Sequence, residues 1–307
     1  MDVNRTSPQR FILLGLTDVP YLQAICFLVF FVMYIITLSG NILLIVVVRI
    51  NSTLQTPMYF FLCNLSVIDI GMTTTIVPKL LINTLVKDRS ISLLGCGIQM
   101  FFHLTFGSTE CLILAVMAYD RFAAICRPLH YNNIMNKMVC ATLAGGAWIM
   151  SIINSGVHVF ITFQLPYCKS RVVNHFFCEI PPFFQLSCQD TFLNEVAMYI
   201  SAGILGVISF CLTLISYINI IITIFKIRSS QGRHKAFSTC GSHLTVVCLY
   251  YGTILVVYLG PHSIYTAEIN KTMSILYTTV SPMLNPIIYS MRNKDVKSTF
   301  KKNQKKI

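Results

Sequence analysis

The sequence predicts an all-α membrane protein: seven transmembrane helices in one bundle, with the N-terminus outside. A short amphipathic helix should lie on the inner surface after the seventh span. Three observations predict this. Of the 307 residues, 55% are hydrophobic and only 11% charged, whereas a soluble domain carries about 25% charged residues. Seven apolar runs reach the length of about 20 residues that a bilayer-crossing helix needs. The lysines and arginines then collect on one side of those runs.

The elements follow in chain order. Residues 1–18 form a polar outer segment opening "MDVNRTSPQR", where Asn4 sits in the glycosylation sequon "NRT". No cleavable signal is evident, so the first run, 19–48, is expected to act as a retained signal-anchor. Gly40 and Asn41 in that run pair a small residue with a polar one, which favours close helix contact. The second run, 58–78, contains one acid, Asp69, and the third, 96–119, contains one acid, Glu110. The runs 138–161, 196–225, 236–259 and 272–291 contain no acid, lysine or arginine. The last holds Pro282, Asn285 and Pro286, so an amide sits where a helix kink frees backbone groups. The longest connection, near 162–195, lies outside. Residues 292–307 form a basic tail in which Val296 and Phe300, four apart among lysines, suit a helix lying on the membrane. Continuous runs of this kind fit helices better than a barrel, whose strands alternate apolar and polar.

Orientation follows from the positive-inside rule. With the N-terminus outside, the inner side holds Arg49, Arg121, Arg127, Lys137, Lys226, Arg228, Arg233, Lys235 and the tail, against only Asp120 and Asp295. The net charge of +12 is therefore a topology signal, and no nucleic-acid partner is expected. The sequon "NKT" at 270–272 lies close to a helix, and "NST" at 51–53 faces in. Cys96, Cys168, Cys178 and Cys188 fall outside, where disulfides form. Four cysteines allow three pairings, and spacing does not choose among them. The other eight read as small apolar residues.

Asp69 and Glu110 lie near the middle of their helices, where a charge costs roughly 2.5–3.5 kcal/mol on insertion scales. They read either as protonated core acids or as a shared ion or proton site. Asp120 and Arg121, in "MAYDRFAAICRPLHY" at 117–131, put a charge pair at the inner end of the third span. A snorkelling interfacial arginine is the plain alternative. A transporter should show repeats or paired broken segments, and an intramembrane enzyme a nucleophile–base set. Neither is present, nor is a phosphate loop or zinc spacing, and the chain is not expected to be an enzyme.

"GN" at 40–41, the acid in "NLSVID" at 64–69, "MAYDR" at 117–121, Trp148 in the fourth span and "NPIIY" at 285–289 resemble a rhodopsin-like G-protein-coupled receptor. "TPMYFFLCNLS" at 56–66, "SY" at 216–217, "KAFSTCGSHLTVV" at 235–247 and "PMLNPIIYSMRN" at 282–293 narrow this to a vertebrate olfactory (odorant) receptor, closer to the class II group. The resemblance covers nearly the whole chain. Gln55 and Phe122 depart from the histidine and tyrosine usual in the family.

The resemblance implies residues 19–291 as the receptor domain. It implies a plasma-membrane protein that binds a small volatile odorant and raises cyclic AMP through a heterotrimeric stimulatory olfactory G protein, among membrane lipid and trafficking chaperones. Asp120 and Arg121 would hold the resting state, with Tyr217 and Tyr289 as aromatic partners of the arginine once it moves. Arg127, Pro128, Tyr131, Lys235 and His243 would meet the G protein, and Asn285 and Pro286 would form the seventh-span kink. Asp69, Glu110, Asn285 and Ser66 would hold a sodium ion or a proton, with no other cofactor required. The odorant would touch Met100, His103, Leu104, Gly107 and Ser108 on the third span and Ser201 and Leu205 on the fifth. Tyr251, Ile254, Leu255 and Tyr258 on the sixth and Ile275 and Thr278 on the seventh complete the set. None of these positions is a lysine, arginine or acid, so a neutral, largely apolar ligand is expected, since a charged one would be desolvated unpaired. The family bridge would be Cys96–Cys178, leaving Cys168–Cys188.

Overall fold

The computed structural model describes residues 10–227, 229–259 and 267–292; side chains at 235, 238–239, 254–259, 267 and 290–292 lie outside that description. Asn4, the tail helix and the side chains of Lys235, Ile254, Leu255 and Tyr258 therefore fall outside the described residues.

Seven helical spans are present: α1 (Pro20–Ile50), α2 (Pro57–Leu85), α3 (Leu93–Cys126), α5 (Lys137–Phe163), α7 (Phe192–Lys226), α8 (Ser230–Leu259) and a composite seventh. Short helices α4 (Tyr131–Ile134) and α6 (Ile180–Leu186) sit in the inner and outer loops. The seventh span is α9 (Ala267–Ile275), a π-helical turn (Leu276–Val280) and α10 (Ser281–Arg292). Proline opens α1 and α2, where its missing N–H costs nothing. Ser92 Oγ and Asn136 Oδ1 accept from the Gly95 and Val139 amides at 3.0 Å and cap α3 and α5. Among the described residues, five helices are long and apolar enough to cross a membrane.

Burial is inverted relative to a soluble protein. Leu28, Ile153 and Ile204 are more than half exposed, while Asn41, Asp69, Glu110 and Ser155 are buried. Lipid accepts the first set; only the bundle interior can satisfy the second. Helix α3 runs through the middle against α2, α5 and α7. Gly71 lets α2 approach it, because a Cβ there would stand 2.3 Å from the Phe106 ring.

Proline chemistry shapes the seventh span. Pro286 has no N–H to donate to the Pro282 carbonyl four residues earlier. Asn41 Nδ2 donates to that carbonyl instead, at 3.1 Å, and to the Thr37 carbonyl at 3.0 Å. Gly40 allows the approach, since a Cβ there would meet Pro286 Cγ at 3.1 Å.

The outer face adds β structure that the helix-only expectation lacked. Strand β1 (Arg10–Leu13) is the centre of a three-stranded sheet, antiparallel to β2 (Ser90–Ser92) and parallel to β3 (Val172–Val173). Phe11 and Leu13 point inward and are fully buried. Arg89 donates to the Leu14 carbonyl at 2.6 Å and pairs with Asp18 at 2.7 Å, tying the N-terminal segment to the first outer loop. Cys96–Cys178 and Cys168–Cys188 are both bonded, with Cα separations of 5.5 and 5.7 Å.

Candidate functional site

The second outer loop roofs the bundle. Its Cys178 is bonded to α3, and the Cys178 amide donates to Gln99 Oε1 at 2.8 Å while Gln99 Nε2 donates to the Thr75 carbonyl at 3.0 Å. Phe176 and Phe177 then drop, fully buried, onto Phe30, Met72, Ile76 and Leu80 of α1 and α2. His103 on α3 lies edge-on to Phe177 at 4.8 Å and 5.8 Å from the Tyr277 ring. It is buried, and its Nδ1 has no protein partner.

Beneath the roof, Met100 packs against loop residues Ile180 and Phe183, and Leu104 lies against the same cluster. Ser108 is half-buried. Tyr250 donates to the Gly107 carbonyl at 2.7 Å, so that backbone group is already engaged. Tyr251 lies beside Phe210 with ring centroids 5.3 Å apart and contacts Cys111 Sγ at 3.7 Å, joining α8 to α7 and α3. Cys111 Sγ also reaches the Leu205 carbonyl at 3.9 Å. Thr278 is buried and donates back to the Ser274 carbonyl at 2.6 Å.

Other contacts at the outer end bear on the expected site. Ser201 Oγ is bonded to His158 Nε2 of α5 at 2.7 Å, which ties α5 to α7. Ile275 packs against the cluster that contains Phe30, Leu80 and Phe176, against which Phe106 of α3 also lies. Outside the expected pocket positions, the outer end holds buried ionisable side chains, Glu179 and Lys271, contributed by the loop and by α9. Tyr277 donates to Glu179 Oε1 at 3.0 Å, and Lys271 Nζ lies 3.9 Å from Glu268. Burial pushes the Glu179 carboxyl up to about 7, and burial, with Lys271 and His103 adding to it, pushes the His175 imidazole down to about 3.

At mid-depth, Asn285 Nδ2 donates to both oxygens of Asp69, at 3.0 and 3.1 Å. Asp69 and Glu110 are buried within electrostatic reach of one another, Ser66 is buried too, and Glu110 Oε1 has no partner. Two buried carboxyls with an unsatisfied oxygen fit a cation or a shared proton.

The inner end is closed. Asp120 is fully buried. It accepts from Arg121 at 2.6 and 3.2 Å on one oxygen and from Tyr131 at 2.7 Å on the other. Tyr217 of α7 is bonded to His243 Nδ1 of α8 at 2.7 Å. His243 is thus fully buried between helices, and in this arrangement it offers nothing to an inner partner. The reason is rotational: its face of α8 turns to the core. Tyr289 is buried nearby in the main core. Arg127 and Pro128 are exposed, and so, at 93%, is Leu129 between them and Tyr131, a position sequence reasoning passed over. Glu179, His175 and Tyr277 were also missed; the signal available was the polar pair bracketing Cys178 in "HFFCE".

A family model described as olfactory receptor matches residues 30–306. Olfactory receptor 5AR1 of Mus musculus is 47% identical over 97% of this chain and 96% of its own length. Olfactory receptor 5B12 of Homo sapiens is 48% identical over 97% of this chain and 95% of its own. Among solved structures, squid rhodopsin shares the fold, with a TM-score of 0.73 at 17% identity over 93% of this chain and 81% of that one.

Proposed function

This chain belongs to the olfactory receptor family, and we propose that it is a plasma-membrane receptor that binds a small, neutral, largely apolar odorant beneath the second outer loop. Binding activates a stimulatory heterotrimeric G protein and raises cyclic AMP. The observation that carries this reading is the closed inner end, where Arg121 and Tyr131 both spend their hydrogen bonds on Asp120.

The mechanism is a population shift. An odorant favours the open-inside arrangement only by binding it better than the closed one. Opening requires α8 to leave α7, which breaks the Tyr217–His243 bond, and Arg121 to leave Asp120. Tyr217 is then free to meet the arginine, and Arg127, Pro128 and Tyr131, with Lys235 and a released His243, present a surface to the G protein. The apolar body of the odorant provides most of the affinity, at about 25 cal/mol per Å² buried. His103, with its unpartnered Nδ1, orients the ligand's polar atom. Asp69, Glu110, Asn285 and Ser66 would hold a sodium ion or a shared proton, which would supply the charge balance their burial demands.

The test is co-expression of the chain with either a stimulatory or an inhibitory G-protein α subunit, reading basal cyclic AMP. A rise specific to the stimulatory subunit is expected. A fall specific to the inhibitory one would overturn the coupling.

A further inference from the structure

We propose that Glu179 is a positioning residue: it clasps the disulfide-anchored outer loop to the π-turn of the seventh span, and the strength of that clasp sets how readily the roof opens over the odorant pocket. The inference rests on the receptor reading above.

The geometry is specific. Glu179 follows Cys178, which is bonded to α3. Its Oε1 accepts from Tyr277, which lies within the π-turn. Such turns arise at single points of a helix and frequently mark functional sites. The clasp therefore joins α3 to the seventh span through one loop residue, 98 positions away from its partner. The second oxygen, Oε2, is buried and faces His175 Nε2 at 3.6 Å, and besides Tyr277 the carboxyl has the Ser274 hydroxyl beside it. His175 is buried as well, with the Phe177 backbone beside its ring. A buried carboxylate beside a neutral imidazole is poorly satisfied. A protonated one can donate from Oε2 to His175 Nε2 while still accepting from Tyr277, and the pair closes. The proton comes from water and returns to it.

Among the described residues, the other ionisable groups at this point are His103 of α3 and Lys271 of α9, with the exposed Glu268 beside the lysine. Lys271 turns toward Glu268, and His103 lies across Phe177. His175 stays neutral above about pH 3, so Glu179 is the group of this pair that changes charge near neutrality. The carboxyl titrates at about 7 when clasped and ordinarily at 4.5. A raised carboxyl favours the clasped state fully below the ordinary value and loses that contribution as pH rises through the clasped value. Acid thus closes the clasp and alkali loosens it.

The experiment is hydrogen–deuterium exchange on the full chain in lipid nanodiscs from pH 5 to pH 8, without odorant, corrected for intrinsic exchange. Peptides covering 171–180 and 268–280 are followed in wild type, Glu179→Gln, Glu179→Ala and Tyr277→Phe. In wild type, protection at both segments should fall together by on the order of fifty- to a hundredfold across that range. Glu179→Gln, which accepts from Tyr277 and donates to His175 at every pH, should stay protected with a flat profile. Glu179→Ala should be unprotected and flat, and Tyr277→Phe should uncouple the two segments. A flat wild-type profile, or a Glu179→Gln profile that still follows pH, overturns the clasp. Because the readout needs no odorant, it fails independently of the receptor reading, which stands or falls on odorant-dependent signalling.

Discussion

Tyr131→Phe removes one hydroxyl and nothing else from the inner end of the bundle. That hydroxyl donates to Asp120 Oδ1 at 2.7 Å, and the acceptor is fully buried. Hydrogen bonds to charged groups contribute about 1.5–3 kcal/mol. Tyr131 is only half-buried, so the lower end applies. Arg121 remains on the other carboxylate oxygen, so the resting state is weakened and not abolished. If the bond exists only in the closed arrangement, losing about 1.4 kcal/mol multiplies the open population about tenfold. A minor state of about 1% would become about 10%. The assay is basal cyclic AMP at matched surface expression, wild type against Tyr131→Phe, without odorant. Output several-fold above wild type is expected. Output equal to or below wild type would show that the Tyr131–Asp120 bond does not hold the resting state.

Two further outcomes follow from the geometry. Asn41→Ala leaves the Pro282 carbonyl without its donor inside the bundle; stability in nanodiscs should fall by about 1–2 kcal/mol, and an unchanged thermal midpoint would remove that bond from the account. His103→Phe should weaken the potency of oxygenated odorants by about tenfold, the worth of one hydrogen bond, with His103→Gln retaining more; potency unchanged for every active oxygenated odorant would mean that His103 is not the polar anchor.

How much of this was readable from the sequence varied with the range of the interaction. The spans were readable because each is a local property of about 20 consecutive residues. The Asp120–Arg121 pair was readable because its members are adjacent, and Tyr131 lay within the same short motif. The Asn41–Pro282 bond joins residues 241 apart, and no periodicity pairs them. Strand β1 is four residues long and β3 only two, too short for alternation to register. The direction of His243 depends on how α8 is rotated against α7, which spacing along one helix does not fix. Glu179 escaped for a related reason: the loop that carries it is the roof itself, so a residue outside every span ends up buried against the bundle.

The most direct test of the account is a cyclic-AMP screen of cells expressing the chain against a broad odorant panel, with empty-vector and Arg121→Ala controls at matched surface expression. The account predicts a concentration-dependent rise to neutral, largely apolar volatiles, absent from both controls. A response that survives in Arg121→Ala would contradict the inner switch, and a response confined to carboxylates or amines would contradict the neutral pocket.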